Sequence, residues 1–240
     1  MTPTKVFVLH VKKGYEDREE HIRRMLGAMH IDFEFLLDGD VDDLSPEVLD
    51  RYFTGMMKQA KPVVSCAMKH LLACERIVNQ KLPGAIVLED DMVLYKNFGK
   101  VFDECMEEMR RKGIDEALIS FEDSALRFVP GSKRQRKRHL YPAEKDRFTG
   151  CLYLTYATAK KILDYVYVHK CDTAIDLFHK LLITRIGLRY YWCHPCIATQ
   201  GTHNGLFPSS ITALSAKKQR YRAWTWHVKL AYKKFLYLFR

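Results

Sequence analysis

Short apolar runs alternate along this chain with longer segments in which apolar residues recur every three or four positions. Residues 5–10 (Lys-Val-Phe-Val-Leu-His) read as a buried strand. Residues 15–29 follow as a charged amphipathic helix with Ile22, Met25, Leu26 and Met29 on one face. Residues 32–39 predict a second short strand closing in a turn, and this strand–helix–strand opening favours an α/β domain. Residues 40–52 read as a loop and a short helix opened by Ser45-Pro46-Glu47. In residues 62–79, Ala67, His70, Leu71, Cys74, Ile77 and Val78 fall at helical spacing, with Ser65 near the start. His70 lies on the apolar side, where a satisfied core histidine is the plainer reading and a ligand contact the sharper one.

Ala85-Ile86-Val87-Leu88, entered through Pro83-Gly84, predicts another buried strand that ends abruptly in Glu89-Asp90-Asp91. Residues 97–112 are strongly amphipathic and stop at Gly113. Residues 116–121 predict a strand, followed by Glu122-Asp123 as a solvated acidic loop or a border of a cleft. The dense basic run 133–139 breaks all periodicity, so 128–147 reads as a mobile surface loop. A strand over 148–155, a helix over 157–167, and a helix over 172–184 capped by Asp172 come next. Residues 189–193 predict a last strand, and 195–210 a loop carrying Gln200, Thr202, His203 and Asn204. Residues 217–240 form a helix with Trp224, Val228, Ala231, Phe235 and Leu238 along one face.

Composition sharpens this picture in two places. The 240 residues are 48% hydrophobic and 28% charged, ordinary for a globular protein, and contain no apolar run long enough for a transmembrane helix. The seven cysteines are odd in number and scattered, and the first apolar run is too short for a signal peptide. Both predict reduced thiols in the cytoplasm. Cys193 and Cys196 form a lone CxxC, read as ordinary core or loop cysteines before a zinc or redox pair. The net charge of +10 is concentrated at the end: beyond Asp176 there are eleven Lys and Arg and no Asp or Glu. A basic helix with Trp and Phe suits an anionic membrane surface, which predicts a peripheral protein on the inner face of the membrane. Packing of that helix on the protein's own body is the plainer alternative. No DNA- or RNA-binding motif accompanies the tail, so nucleic acid is not an expected partner.

Three acids delivered by a buried strand repel one another in a dry site, and a divalent cation relieves that repulsion. Hard carboxylates suit Mn2+ or Mg2+, which pair with phosphates, and ligands of open α/β sheets bind beyond the carboxyl ends of the strands. A metal–diphosphate site at Glu89–Asp91 is therefore expected, against a solvated acidic turn. It is compatible with a glycosyltransferase, with a metal-dependent nucleotidyl- or phosphotransferase, or with a non-catalytic glycan- or membrane-binding module.

Four blocks in order choose among these: Val8-Leu9-His10 with Asp17-Arg18; Ser65 to Leu71, with Ser65 and His70; Val87-Leu88-Glu89-Asp90-Asp91; and Thr149-Gly150-Cys151-Leu152-Tyr153-Leu154 with Ala159 to Leu163 and then Asp176. Together they resemble glycosyltransferase family 25, the group holding bacterial lipooligosaccharide galactosyltransferases and collagen galactosyltransferase domains. The resemblance implies an α/β fold: a GT-A-like single nucleotide-sugar-binding domain over residues 1–212, leaving 213–240 as a basic, aromatic helical extension. It implies transfer of a hexose with inversion, galactose from UDP-galactose foremost, to a glycan or glycolipid acceptor. Leu9, His10, Arg18, Ser65, His70 and Asp90 are then expected at the donor. Glu89 and Asp91 would hold Mn2+ or Mg2+, with His203 as a neutral third ligand. Asp176 would be the base, with Asp172 and then Glu122 behind it. Removing 217–240 is expected to weaken binding to anionic vesicles and spare activity on soluble acceptors.

Overall fold

In the computed structural model, which describes residues 4–207 and 216–240 (side chains of 216–220, 222 and 223 excepted), the first strand, β1 (Lys5–Leu9), lies between two parallel neighbours. These are β2 (Glu34–Leu36) and β3 (Gly84–Glu89), with Leu9 opposite both Leu36 and Glu89. The chain returns between them through α1 (Glu16–Ala28), and through α2 (Pro46–Tyr52) and α3 (Pro62–Asn79). Ser45 caps α2 ahead of Pro46, as its sequence signal predicts.

After β3 come β4 (Met92–Leu94), α4 (Phe98–Lys112), β5 (Leu118–Ser120), β6 (Leu140–Pro142) and β7 (Cys151–Thr155). They are followed by α5 (Tyr156–His169), α6 (Ile175–Arg185), β8 (Tyr190–Cys193), β9 (Ala198–Gln200), the single turn α7 (Gly201–Asn204) and α8 (Ala216–Leu236). Seven strands form one sheet in the order β2-β1-β3-β7-β5-β8-β6, while β4 and β9 pair as a separate ribbon. Helices cover both faces, so the fold is the expected GT-A-like α/β sandwich.

Alternation along β1 and β3 divides the core. Phe7, Leu9, Ala85 and Val87 face a cluster built with α2, α3, α5 and α6. Val6, Val8, Ile86 and Leu88 face one built with α1 and α4. Each fully buried side chain of this kind contributes about 1.5–3 kcal/mol. Gly113 ends α4 at φ 59°, the left-handed backbone that glycine adopts without a Cβ penalty.

Topology decides where the chemistry lies. β1 and β3 are parallel, so Leu9-His10 and Glu89-Asp90-Asp91 emerge at one edge of the sheet. β7 runs antiparallel to β3, with Cys151 opposite Leu88, which brings Thr149 and Gly150 to the same edge from the other direction. β5 is also antiparallel to β7, so Glu122 and Asp123 arrive there too. The β4–β9 ribbon then ties the turn after Asp91 to Gly201, whose N–H donates to the Asp91 carbonyl at 2.7 Å. Gly201 has to be glycine: a Cβ there would lie 2.8 Å from that carbonyl oxygen.

Four sequence expectations need correction. Residues 128–147 are packed rather than loose. Phe128, Val129, Leu140, Tyr141, Asp146 and Arg147 are buried, and β6 joins the sheet edge, while exposed residues such as Lys133, Arg136, Lys137 and Lys145 lie between these anchors. Of the two readings of Glu122-Asp123, the solvated loop fails, since both are fully buried. Residues 195–207 hold β9 and α7 where a loop was expected. Asp172 does not cap α6; Ala174 stands at the cap, and Asp172 pairs with Arg185 at 3.0 Å. The expected boundary at 212/213 lies outside the described residues. All seven cysteines are free thiols, with Cys193 packed against Cys105.

Candidate active site

The shared edge opens into a cleft of about 840 Å³. Its walls include Leu9, His10, Arg18, Ser65, Glu89, Asp90, Asp91, Asp176 and His203, nine of the residues singled out in the sequence. Asp172 is outside it. His70 lies just behind, where its Nε2 meets Glu89 Oε1 at 3.2 Å.

The three acids of the triplet are used differently. Asp90 is locked into the protein: its Oδ2 meets His10 Nδ1 at 2.8 Å, and its Oδ1 accepts from Arg18 Nη1 at 2.8 Å. Arg18 is itself held over the Tyr15 ring. Glu89 accepts from the Thr149 hydroxyl at 3.0 Å on the same oxygen that meets His70. Asp91 is buried, and its Oδ1 has no hydrogen-bond partner. Burial, and then the charge of Glu89, push its carboxyl up to about 7. Glu122, behind the triplet, accepts from Gly150 N–H at 2.7 Å and keeps Oε2 without a partner. Burial raises its carboxyl as well, with Glu89 and Asp91 adding to the rise.

A buried carboxylate oxygen with no donor, crowded by other acids, fits a cation. A softer group of ligand atoms also converges nearby: those of Cys66, His70 and Glu89 lie within 4.8 Å of one another. Burial and the surrounding acids hold the Cys66 thiol far above its usual range, however, so it is a poor ligand beside the carboxylates. Behind His70 sits His179, whose imidazole burial depresses to about 3, leaving a neutral ring as packing.

Another part of the wall mixes bases and acids, Lys12, Lys13 and Lys69 beside Asp40, Asp42 and Asp43. Lys12 and Lys13 follow β1, with Lys12 bound to Asp43 at 2.6 Å and Lys13 exposed at the mouth. Lys69 is buried and satisfied by Asp40 and by the carbonyls of Leu37 and Asp38. Ser65 donates to the Gly39 carbonyl at 2.7 Å, pinning the turn after β2 against α3. A cation at the acidic turn, with the exposed Lys13 at the mouth, would suit a diphosphate.

Comparison with known proteins gives the family. The sequence profile of glycosyltransferase family 25 (LPS biosynthesis protein) matches residues 4–179. The chain belongs to glycosyltransferase family 25. It is 24% identical over 237 residues to the lipooligosaccharide biosynthesis protein lic2B of Haemophilus influenzae, a match covering 90% of this chain and 83% of that protein. Among solved structures it is similar to one described as mannose-1-phosphate geranyltransferase from Thermus thermophilus. The TM-score there is 0.38 and the identity 9%, over 86% of this chain and 78% of that one, too distant to carry an argument.

As a family 25 glycosyltransferase, the protein uses a sugar donor and a glycan acceptor. Asp176, in the first turn of α6, faces the cleft half-buried. Burial, and then the charges of Asp146 and Glu89, raise its carboxyl. His203 lines the cleft from α7, its ring nearly parallel to those of Phe148 and Trp226. Sequence reading assigned no role to Thr149, Thr202, Lys12, Lys13 or Phe148. The Lys12-Lys13 pair, directly beyond the end of a parallel strand, was a usable signal. Thr202 on α7 stands close enough to lower the Asp91 carboxyl, a proximity that no local pattern shows.

Proposed function

We propose that this family 25 enzyme transfers a hexose, galactose from UDP-galactose foremost, with inversion onto a lipooligosaccharide-type glycan, using Mn2+ or Mg2+. The observation that carries this is the division of labour at the end of β3. His10 and Arg18 consume Asp90, while Glu89 and Asp91 keep carboxylate oxygens beside the cleft. Those two residues would hold the cation, with His203 on α7 as the neutral third ligand. A cation so held neutralises charge on the leaving diphosphate.

The chain's own groups do the rest. Arg18, fixed by Asp90 and Tyr15, sets the positive side of the cleft, and Lys13 at the mouth is placed to meet phosphate oxygens. Asp176 takes the proton from the acceptor hydroxyl. A carboxyl raised by burial is a better base than an exposed one. The role of lic2B in lipooligosaccharide biosynthesis supports the acceptor class.

The tail supports a membrane-side location. No helix among the described residues is long and apolar enough to cross a membrane. Yet α8 leaves Tyr221, Trp224, Val228, Tyr232 and Phe235 exposed beside its lysines, a surface suited to anionic lipid on the inner face of the membrane.

The test is product analysis with UDP-galactose, UDP-glucose and a lipooligosaccharide-derived acceptor, with Mn2+ or with a chelator. UDP release, a β-linked product and loss of both on chelation are expected. Release of pyrophosphate would instead point to nucleotidyl transfer, and no turnover of any donor would leave a binding module.

A further inference from the structure

Three rings from distant parts of the chain stack beside the cleft. Phe148 and His203 are 7° from parallel with centroids 5.9 Å apart, and His203 and Trp226 are 22° from parallel at 4.9 Å. Among the described side chains of α8, Trp226 is the buried one, whereas Phe148 and His203 are half-buried and line the cleft. The stack therefore starts inside the protein and ends on the wall of the site.

Two further observations set Phe148 apart. Its backbone sits at φ 60°, a left-handed conformation unfavourable for a bulky residue. The fold holds it there directly before Thr149, which binds Glu89. In addition, α8 is tied to the body well beyond Trp226. Lys234 reaches the buried Asp123 at 3.2 Å, Tyr237 packs edge-on against Phe128, and the Gly131 and Ser132 N–H groups donate to the carbonyls of Tyr237 and Arg240. The helix is thus anchored at both ends of its contact with the body.

We infer that Phe148, backed by His203 and Trp226, forms an aromatic platform on which a hexose ring of the acceptor stacks, which makes the C-terminal helix part of the substrate-binding unit. A pyranose has one apolar face of C–H groups, and a flat, preorganised ring in a cleft is its natural complement. The acceptor is favoured over the donor because the stack is built from α8, the helix bearing the exposed basic–aromatic surface where a glycolipid would approach. The inference rests on the glycosyl-transfer reading and names one residue set within it.

The experiment uses the full chain and lactose as the hexose probe. Binding is read by saturation-transfer NMR, which needs no turnover, and KM and kcat are measured for lactose and for UDP-galactose. Phe148→Asn removes the ring while supplying a residue that tolerates left-handed backbone. It is expected to keep the thermal midpoint and to raise the lactose KM by about tenfold, with a much smaller change in kcat or in the UDP-galactose KM. Phe148→Tyr should restore wild-type KM, and Trp226→Leu should raise the lactose KM in the same direction. Equal loss of stability and kcat at unchanged lactose KM would make the ring merely structural and overturn the platform. A rise confined to the UDP-galactose KM would overturn the acceptor assignment. Lactose binding that depends on Phe148 in a protein that transfers no sugar would defeat the transferase reading and keep the platform. Galactose transfer with Phe148→Asn behaving as wild type would do the reverse.

Discussion

At the scale of single residues, Asp91 is the most exacting group in the protein. Its carboxyl sits near 7 in the folded chain against 3.8 as a free side chain. Between those values the folded state holds a proton that the unfolded state has released, so metal-free stability falls as pH rises through this window. Denaturation midpoints measured in chelator from about pH 4.5 to 8 should show the fall, and Asp91→Asn should flatten it. Mn2+ must displace the same proton, so its affinity, measured by calorimetry, should climb up to about pH 7 and then level. In transfer assays, Asp91→Asn should lose about a hundredfold or more in kcat while remaining folded. The triplet was legible because a buried strand delivers it. The helix cap was not: Asp172 and Ala174 both lie close to the start of α6, and the Arg185 that claims Asp172 sits at the helix's far end. Glu122 and Asp123 stayed open between a solvated loop and a cleft border because nothing local says that their strand ends at the same sheet edge as β3.

At the scale of elements, β1, α3, β3 and α4 were readable from periodicity and capping alone, and α3 was placed with its observed bounds. The tail helix was readable as a helix but not as a docked one. Apolar residues surround it on most sides, so spacing does not choose between the Trp224 face and Trp226. The structure buries Trp226 and leaves Trp224, Val228 and Phe235 exposed, so packing on the body and a free apolar face coexist on one helix. The docking partners Asp123, Phe128 and Gly131 lie far back in the sequence. Lys234 is the cation on a fully buried Asp123, whose other polar contact is the Tyr95 hydroxyl. Lys234→Ala should therefore destabilise the fold by about 1 kcal/mol, a figure discounted because the lysine is half exposed. Chemical denaturation beside Lys229→Ala, an exposed lysine on the same helix expected to change stability by less than about 0.5 kcal/mol, would check it.

At the scale of the molecule, the fold gathers strand ends of both directions at one edge and leaves a positive, aromatic surface on α8. Sequence showed the charge asymmetry and the α/β class. It did not show the antiparallel insertion of β7, which carries Phe148, Thr149 and Gly150 to the acidic turn. That insertion, with the Trp226–His203 stack, also changes how the tail should be tested. Deleting residues 217–240 would remove Trp226 from beside the cleft, so surface substitutions isolate the membrane contribution more cleanly. Trp224→Ser combined with Phe235→Ser should lower sedimentation with anionic vesicles by about tenfold, with little loss of stability. Unchanged partitioning would count against α8 as the lipid contact.

The central claim is that Glu89 and Asp91 hold a divalent cation that receives the diphosphate of a UDP-hexose. Thermal shift of the wild-type chain and Asp91→Asn with UDP-galactose, with and without Mn2+, tests it most directly, because a ligand of the folded state raises its apparent stability. A rise is expected for wild type only when nucleotide-sugar and Mn2+ are present together, and none for Asp91→Asn. An equal rise without Mn2+, or an undiminished rise in Asp91→Asn, would contradict the claim.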